Sequence, residues 1–192
     1  YIAFSFPIIP AKWTSSIGFL PYSSVNYNVI ANDIVAGTTT PVSFNFKGNG
    51  GITQAYFSNG VALGKGLTIG VKTSFLFGFV EKETTTFLGG EDFFAPLASG
   101  LFEKTDYRGF KLGTGLAYRK KIADKKFLNL GMIFDKASDL TGNSLVRLER
   151  KSGSNTAIPG DTLVNNQKEI FSLPSELGFG FSYEKLNAYT IS

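Results

Sequence analysis

The chain has no cysteine and no histidine, one methionine and one tryptophan. Without cysteine there are no disulfides, no thiolate metal sites and no cysteine nucleophile. Without histidine the commonest metal ligand and the commonest general base are missing together. Serines have no imidazole to activate them, and no zincin, nucleophile-elbow or paired-acid pattern occurs. The expectation is a protein that is not an enzyme, with no cofactor and no metal. No unbroken apolar run of about 18 residues occurs, which excludes a transmembrane helix, although 43% of the 192 residues are hydrophobic. The net charge is +4. Its lysines gather at turns and strand ends, not in a stripe on one face, so no nucleic-acid partner is expected.

What is abundant is glycine (22) and phenylalanine (19), set in segments of period two. Leu67, Ile69, Val71, Thr73, Phe75, Phe77 and Phe79 fall on one face. Thr68, Gly70, Lys72, Ser74 and Gly78 fall on the other, with Leu76 as an exception. Such alternation is a strand and cannot be a helix. At roughly 3.3 Å per residue and a tilt of about 40°, residues 67–80 cover roughly 35 Å, enough for a hydrocarbon layer. That strand runs on to 83, and the pattern recurs over 1–9, 12–30, 51–63, 105–120, 126–139, 167–184 and 188–192. Together these predict eight strands. Thr39–Lys47 and Ser144–Lys151 read as hairpin-like extensions of long loops.

Short turns at Ile9–Lys12, Gly64–Gly66, Lys120–Lys126 and Glu184–Asn187 alternate with long polar loops at Ala31–Gly50, Thr84–Lys104 and Asp139–Asn166. A barrel of the bacterial outer membrane has this asymmetry. A soluble sandwich also alternates. Strand length and a glycine-rich small face favour the membrane. The prediction is an all-β, antiparallel transmembrane β-barrel in the outer membrane of a Gram-negative bacterium, with lipid as a partner. Because the chain opens and closes inside apparent strands, it reads as a barrel segment.

Several residues stand out. Lys72, Ser74, Lys111, Arg119 and Asp135 are predicted to face the interior, either guiding a ligand's carboxylate or solvating the lumen and pairing across strands. Gly18 and Pro21 mark a kink: proline donates no ladder bond, so the strand either opens sideways there or carries an ordinary bulge. The loop Phe87–Phe102, with Phe93, Phe94 and Phe102 beside Glu91 and Asp92, is a candidate mouth. It packs locally, captures a hydrophobic substrate or docks a partner. Its two acids lack the oxygen cage that calcium needs. Trp13, Tyr22, Tyr27, Tyr56, Tyr107, Tyr118, Tyr183 and Tyr189 suit an interfacial girdle or a stacking platform. Gly109-Phe-Lys-Leu-Gly-Thr-Gly115 is no phosphate loop, since its glycines keep strand parity and no helix follows.

The segment Ser172-Leu-Pro-Ser-Glu-Leu-Gly-Phe-Gly-Phe-Ser-Tyr-Glu184 resembles a strand of the FadL/OmpP1/TodX outer-membrane transporters. Phe4-Ser-Phe-Pro7, Trp13-Thr-Ser-Ser-Ile-Gly-Phe-Leu-Pro-Tyr22, Gly51-Ile-Thr-Gln-Ala-Tyr56 and Leu67-Thr-Ile-Gly-Val71 are similar to their other hairpins. The resemblance implies a 14-stranded barrel, of which this segment lacks the N-terminal hatch, the first strand and the C-terminal strands. It also implies passive uptake of long-chain fatty acids or other hydrophobic small molecules. The competing expectation is a structural or interaction barrel within a larger outer-membrane assembly, with protein partners there.

Overall fold

Alternating residues of this kind have one way to satisfy their backbone in lipid, which is to pair strand to strand. The computed structural model describes residues 1–88, 97–151, 157–186 and 189–191. Within them lie β1 (Ile2–Ile9), β2 (Trp13–Ile34), β3 (Pro41–Gly64), β4 (Leu67–Leu88) and β5 (Leu97–Ala123). The second half adds β6 (Lys126–Asp135), β7 (Ser138–Lys151), β8 (Ala157–Leu173), β9 (Glu176–Lys185) and β10 (Tyr189–Ile191). All belong to one antiparallel sheet in the order β1-β2-β3-β4-β5-β6-β9-β10, with β7 on β5 and β8 on β7.

β5 explains the branch. Its 27 residues outrun β6, which pairs with Gly113–Ala123, and β7 takes over the same edge along Ala98–Gly109. β6 and β7 are therefore one path interrupted at Lys136 and Ala137. β8 and β9 are a second, interrupted at Pro174, which has no N–H to donate, and Ser175. Ten segments thus make eight passes, the number expected from the alternation. The segments expected as long polar loops are largely strand. Ala31–Gly50 narrows to a turn at Val35–Thr40, and most of Asp139–Asn166 is ladder. Asn, Ser, Thr and Lys on both faces look like loop in sequence, yet outside hydrocarbon a ladder with two wet faces is stable when its backbone bonds are made.

Which face is inside follows from contacts that skip strands. Lys111 on β5 reaches Tyr22 on β2, over two intervening strands that in a flat sheet separate them by roughly 14 Å. The sheet must curl toward that face, and it forms a half-barrel. The opposite face carries Ile17, Phe19, Phe57, Ile69, Val71, Phe75, Phe77, Phe110, Leu116, Met132, Phe179 and Phe181, all exposed. No second sheet covers them among the described residues. A belt this apolar and continuous has the character of a membrane barrel's outer wall. Its rings also pack on one another, with Phe75 centred 5.0 Å from Phe110 and 5.6 Å from Phe77.

The inner face holds a small core of Ile52, Leu76, Leu140 and Leu173, with Tyr22 and Tyr107 against it. Leu76, the exception on its predicted small face, is fully buried there. Just beyond it a seam crosses three strands. β2 shifts register between Pro21 and Ser23, opposite Gly50–Thr53 of β3 and Gly78–Val80 of β4. Past the seam both faces are mixed. Tyr27, Val29 and Phe46 share the inner face with Lys82 and Glu103, whereas Asn26, Asn28, Lys47, Glu81 and Glu83 share the outer one with Phe102.

Candidate functional site

The inner wall is layered, and each layer follows from register. Ser58, Lys72, Gly113 and Asp135 face one another across β3, β4, β5 and β6. Asp135 is opposite Glu176 of β9 in that same layer, and in the next inner layer Tyr56, Ser74 and Lys111 align. The Lys111 ammonium is the hub. It donates to Glu176 at 3.0 Å and to the Tyr22 hydroxyl at 3.3 Å, and its Nζ lies 3.4 Å from Asp135. Lys72 approaches the same Asp135 oxygen at 3.7 Å. The Lys111 side chain is only 2% exposed, while that of Glu176 is 58% exposed, so the cluster is a buried cation tied to a wetter rim. Gln54 donates its amide to Ser74 beside it. Gly113 makes room: a Cβ there would sit 2.2 Å from an Asp135 carboxylate oxygen.

Below this cluster the wall is almost bare. Gly60, Gly70 and Gly115 align across β3, β4 and β5, and Gly131 aligns with Gly180 across β6 and β9. They line a groove of about 540 Å³ with Thr68, Ala117, Ile133 and Gly178. Toward the tight turns a second polar layer closes it. Arg119 pairs with Glu184 at 2.9 Å and lies over the Phe127 ring, and Asn129 donates to Ser182.

The predicted residues therefore divide. Lys72, Ser74, Lys111, Arg119 and Asp135 all face the interior. Lys72, Ser74, Lys111 and Asp135 come together, and Arg119 stands apart in the lower layer. At Gly18 the Tyr56 ring lies over the missing side chain. At Pro21 pairing with β3 resumes at once, the shift being taken up by Tyr22 as a bulge, while the β1 ladder ends at Ile2–Phe19. Phe93 and Phe94 lie outside the described residues. Phe102 is not in a loop but in β5, beneath the Arg147 guanidinium. The aromatic girdle needs correction. Trp13, Tyr118 and Tyr183 are on the outer face, but Tyr22, Tyr56 and Tyr107 point inward, and Tyr27 lies on the inner face past the seam. Burying a ring with its hydroxyl in a polar lumen satisfies both halves of tyrosine as well as an interface does.

Tyr22 and Glu176 were missed as site residues. Glu176 was legible, because it shares the parity of Gly178, Gly180 and Ser182. Tyr22 was legible too, because it shares the parity of Ser16, Gly18 and Leu20; the bulge at Tyr22 reverses parity only from Ser23 onward. Among the described residues no cluster of three potential metal ligands occurs.

The geometry describes a braced barrel wall with no reactive constellation among the described residues. The family model for BamG matches residues 1–192. The chain belongs to the BamG family. No curated protein and no solved structure matches it. BamG is a family associated with the BAM complex, and with the β-barrel fold it points to the Gram-negative outer membrane or its machinery. This corrects the FadL/OmpP1/TodX resemblance, and the 14-strand count and hatch that it implied lose their basis. The resemblance rested on alternating Gly and apolar residues, which any barrel wall demands. The Leu173-Pro174 step within it is the break between β8 and β9, a local feature of this sheet.

Proposed function

We propose that this BamG-family chain is a non-catalytic, structural barrel component of a larger outer-membrane assembly, held there by protein partners. The observation that carries the reading is the family match along all 192 residues. The inner wall supports it. A buried Lys111 strut joins β2 to β5 and β9, above it Leu76 and Leu140 are wholly buried, and below it the wall is largely glycine. That arrangement stiffens a scaffold.

Affinity purification of a tagged chain from gently solubilised membranes tests the proposal. The expected result is a stable complex with outer-membrane assembly proteins at fixed stoichiometry, and a drop of several-fold in the surface level of other barrels on depletion. Recovery of the chain alone, with normal barrel levels after depletion, would overturn it.

A further inference from the structure

The tight-turn rim carries a charge excess that the assembly role does not use. Lys12, Lys65, Lys120, Lys121, Lys125, Lys126, Lys185 and Arg119 lie in or beside the four short turns, with Asp124 and Glu184 as the acids among them. Both acids are engaged, Glu184 by Arg119 at 2.9 Å and Asp124 by Lys121 at 3.5 Å. Eight cations against two carboxylates leave an excess of six at this rim. The whole chain is +4, so the rest of the molecule is net negative. The excess is spread along one continuous edge. The turns are stitched side by side by backbone bonds of 2.8 Å from Ala62 to Lys12, Arg119 to Gly66 and Leu186 to Lys125, and Lys126 is paired with Lys185. Except for the half-buried Lys126, the six unpaired lysines are exposed.

We propose that this rim binds the phosphates of anionic phospholipids in the leaflet that meets the tight turns. Three observations select lipid over an acidic protein. The lysines begin where the apolar belt stops, so their stems lie against acyl chains while the ammonium reaches the headgroups. Trp13, Tyr118 and Tyr183 stand on the lipid face one step inside the lysines, and Trp13 donates its indole N–H to Asn59 at 3.0 Å. Amphipathic aromatics at that level mark the headgroup boundary. Finally, the cations are nearly all lysine, which protein interfaces deplete, whereas lysines near an anionic membrane surface each add attraction.

The test uses the full chain in nanodiscs of equal phosphatidylglycerol and phosphatidylcholine, with the lipids retained after mild extraction counted by native mass spectrometry. Phosphatidylglycerol is expected to be retained about fivefold over phosphatidylcholine. The preference falls to parity in the variant carrying Lys→Gln at Lys12, Lys65, Lys120, Lys125, Lys126 and Lys185. It survives Lys→Arg at the same six positions, and in the unmodified chain it fades at about 0.5 M salt. Equal retention of both lipids by the unmodified chain overturns the proposal, as does a preference that salt leaves intact or that persists in the Gln variant. Loss of protein partners in the Gln variant, with no lipid preference in the parent, assigns the rim to an acidic protein and likewise overturns it.

Discussion

Replacing Lys111 by alanine is expected to lower stability by about 3–5 kcal/mol, the usual range for breaking a buried ion pair at one end. The lower half of that range fits best, because Glu176 is 58% exposed and water takes over part of its partner's work. The Asp135 carboxylate gains no such relief. Its side chain is 16% exposed, and with Lys111 gone its remaining ion-pair partner in the cluster is Lys72 at 3.7 Å. Urea unfolding in detergent, followed through the single tryptophan at position 13 on the outer face, reads the effect. With a slope of about 2 kcal/mol per molar, the midpoint falls by about 1 M or more. Tyr22→Phe removes one hydrogen bond and is expected to cost about 1 kcal/mol. Pairing Lys111→Met with Asp135→Asn recovers part of the loss, since the orphaned charge is then absent too. A Lys111→Ala chain that unfolds with the parent's midpoint removes the strut from this account.

The Lys111 cluster also shows what the sequence could and could not reveal. Alternation fixes parity, and parity alone puts Lys72, Ser74, Lys111, Arg119 and Asp135 on one face. It also marks Leu76 as the residue out of character, which is where the inner core lies. What parity cannot supply is the curl. Tyr22 and Lys111 are 89 positions apart, and nothing in either strand's pattern says that their tips meet. The strand count was legible because tight turns are short and carry lysine. The lengths of β2, β3, β5, β7 and β8 were not, because polar residues outside the membrane lose the greasy stripe that signals a strand. Family membership was the least legible. Composition constrains a barrel wall so tightly that Ser172–Glu184 looks alike in unrelated barrels.

Gly50→Ala and Gly78→Val are each expected to cost about 3 kcal/mol or more and to lower the folded yield sharply, because both strike the seam where the two ends of the sheet join. At Gly50 the backbone has φ of +124°, a region that side chains disfavour, and a Cβ would stand 2.2 Å from the Phe79 carbonyl oxygen. Strain of about 1–3 kcal/mol adds to overpacking of about 1–3 kcal/mol. At Gly78 a Cβ would stand 2.1 Å from the Gly51 carbonyl oxygen and 2.9 Å from the Ile52 Cα. Both obstacles are backbone in a paired ladder, so neither can rotate away. A strand that escapes by slipping one residue exchanges its faces. It would then turn Phe75, Phe77 and Phe79 into the lumen and Lys72 and Ser74 into lipid, where a lysine at mid-depth costs about 2–4 kcal/mol. Relief at the seam is therefore blocked by the belt, and the substitution is expressed as lost stability. Gly180→Ala is the control, since nothing lies within 4 Å of its Cβ position. Its urea midpoint should match the parent's or rise slightly, as expected where a glycine's unfolded freedom is removed without strain. Equal midpoints for all three variants would mean that the seam tolerates side chains, and that the change from the greasy stripe to mixed faces is set elsewhere in the sheet.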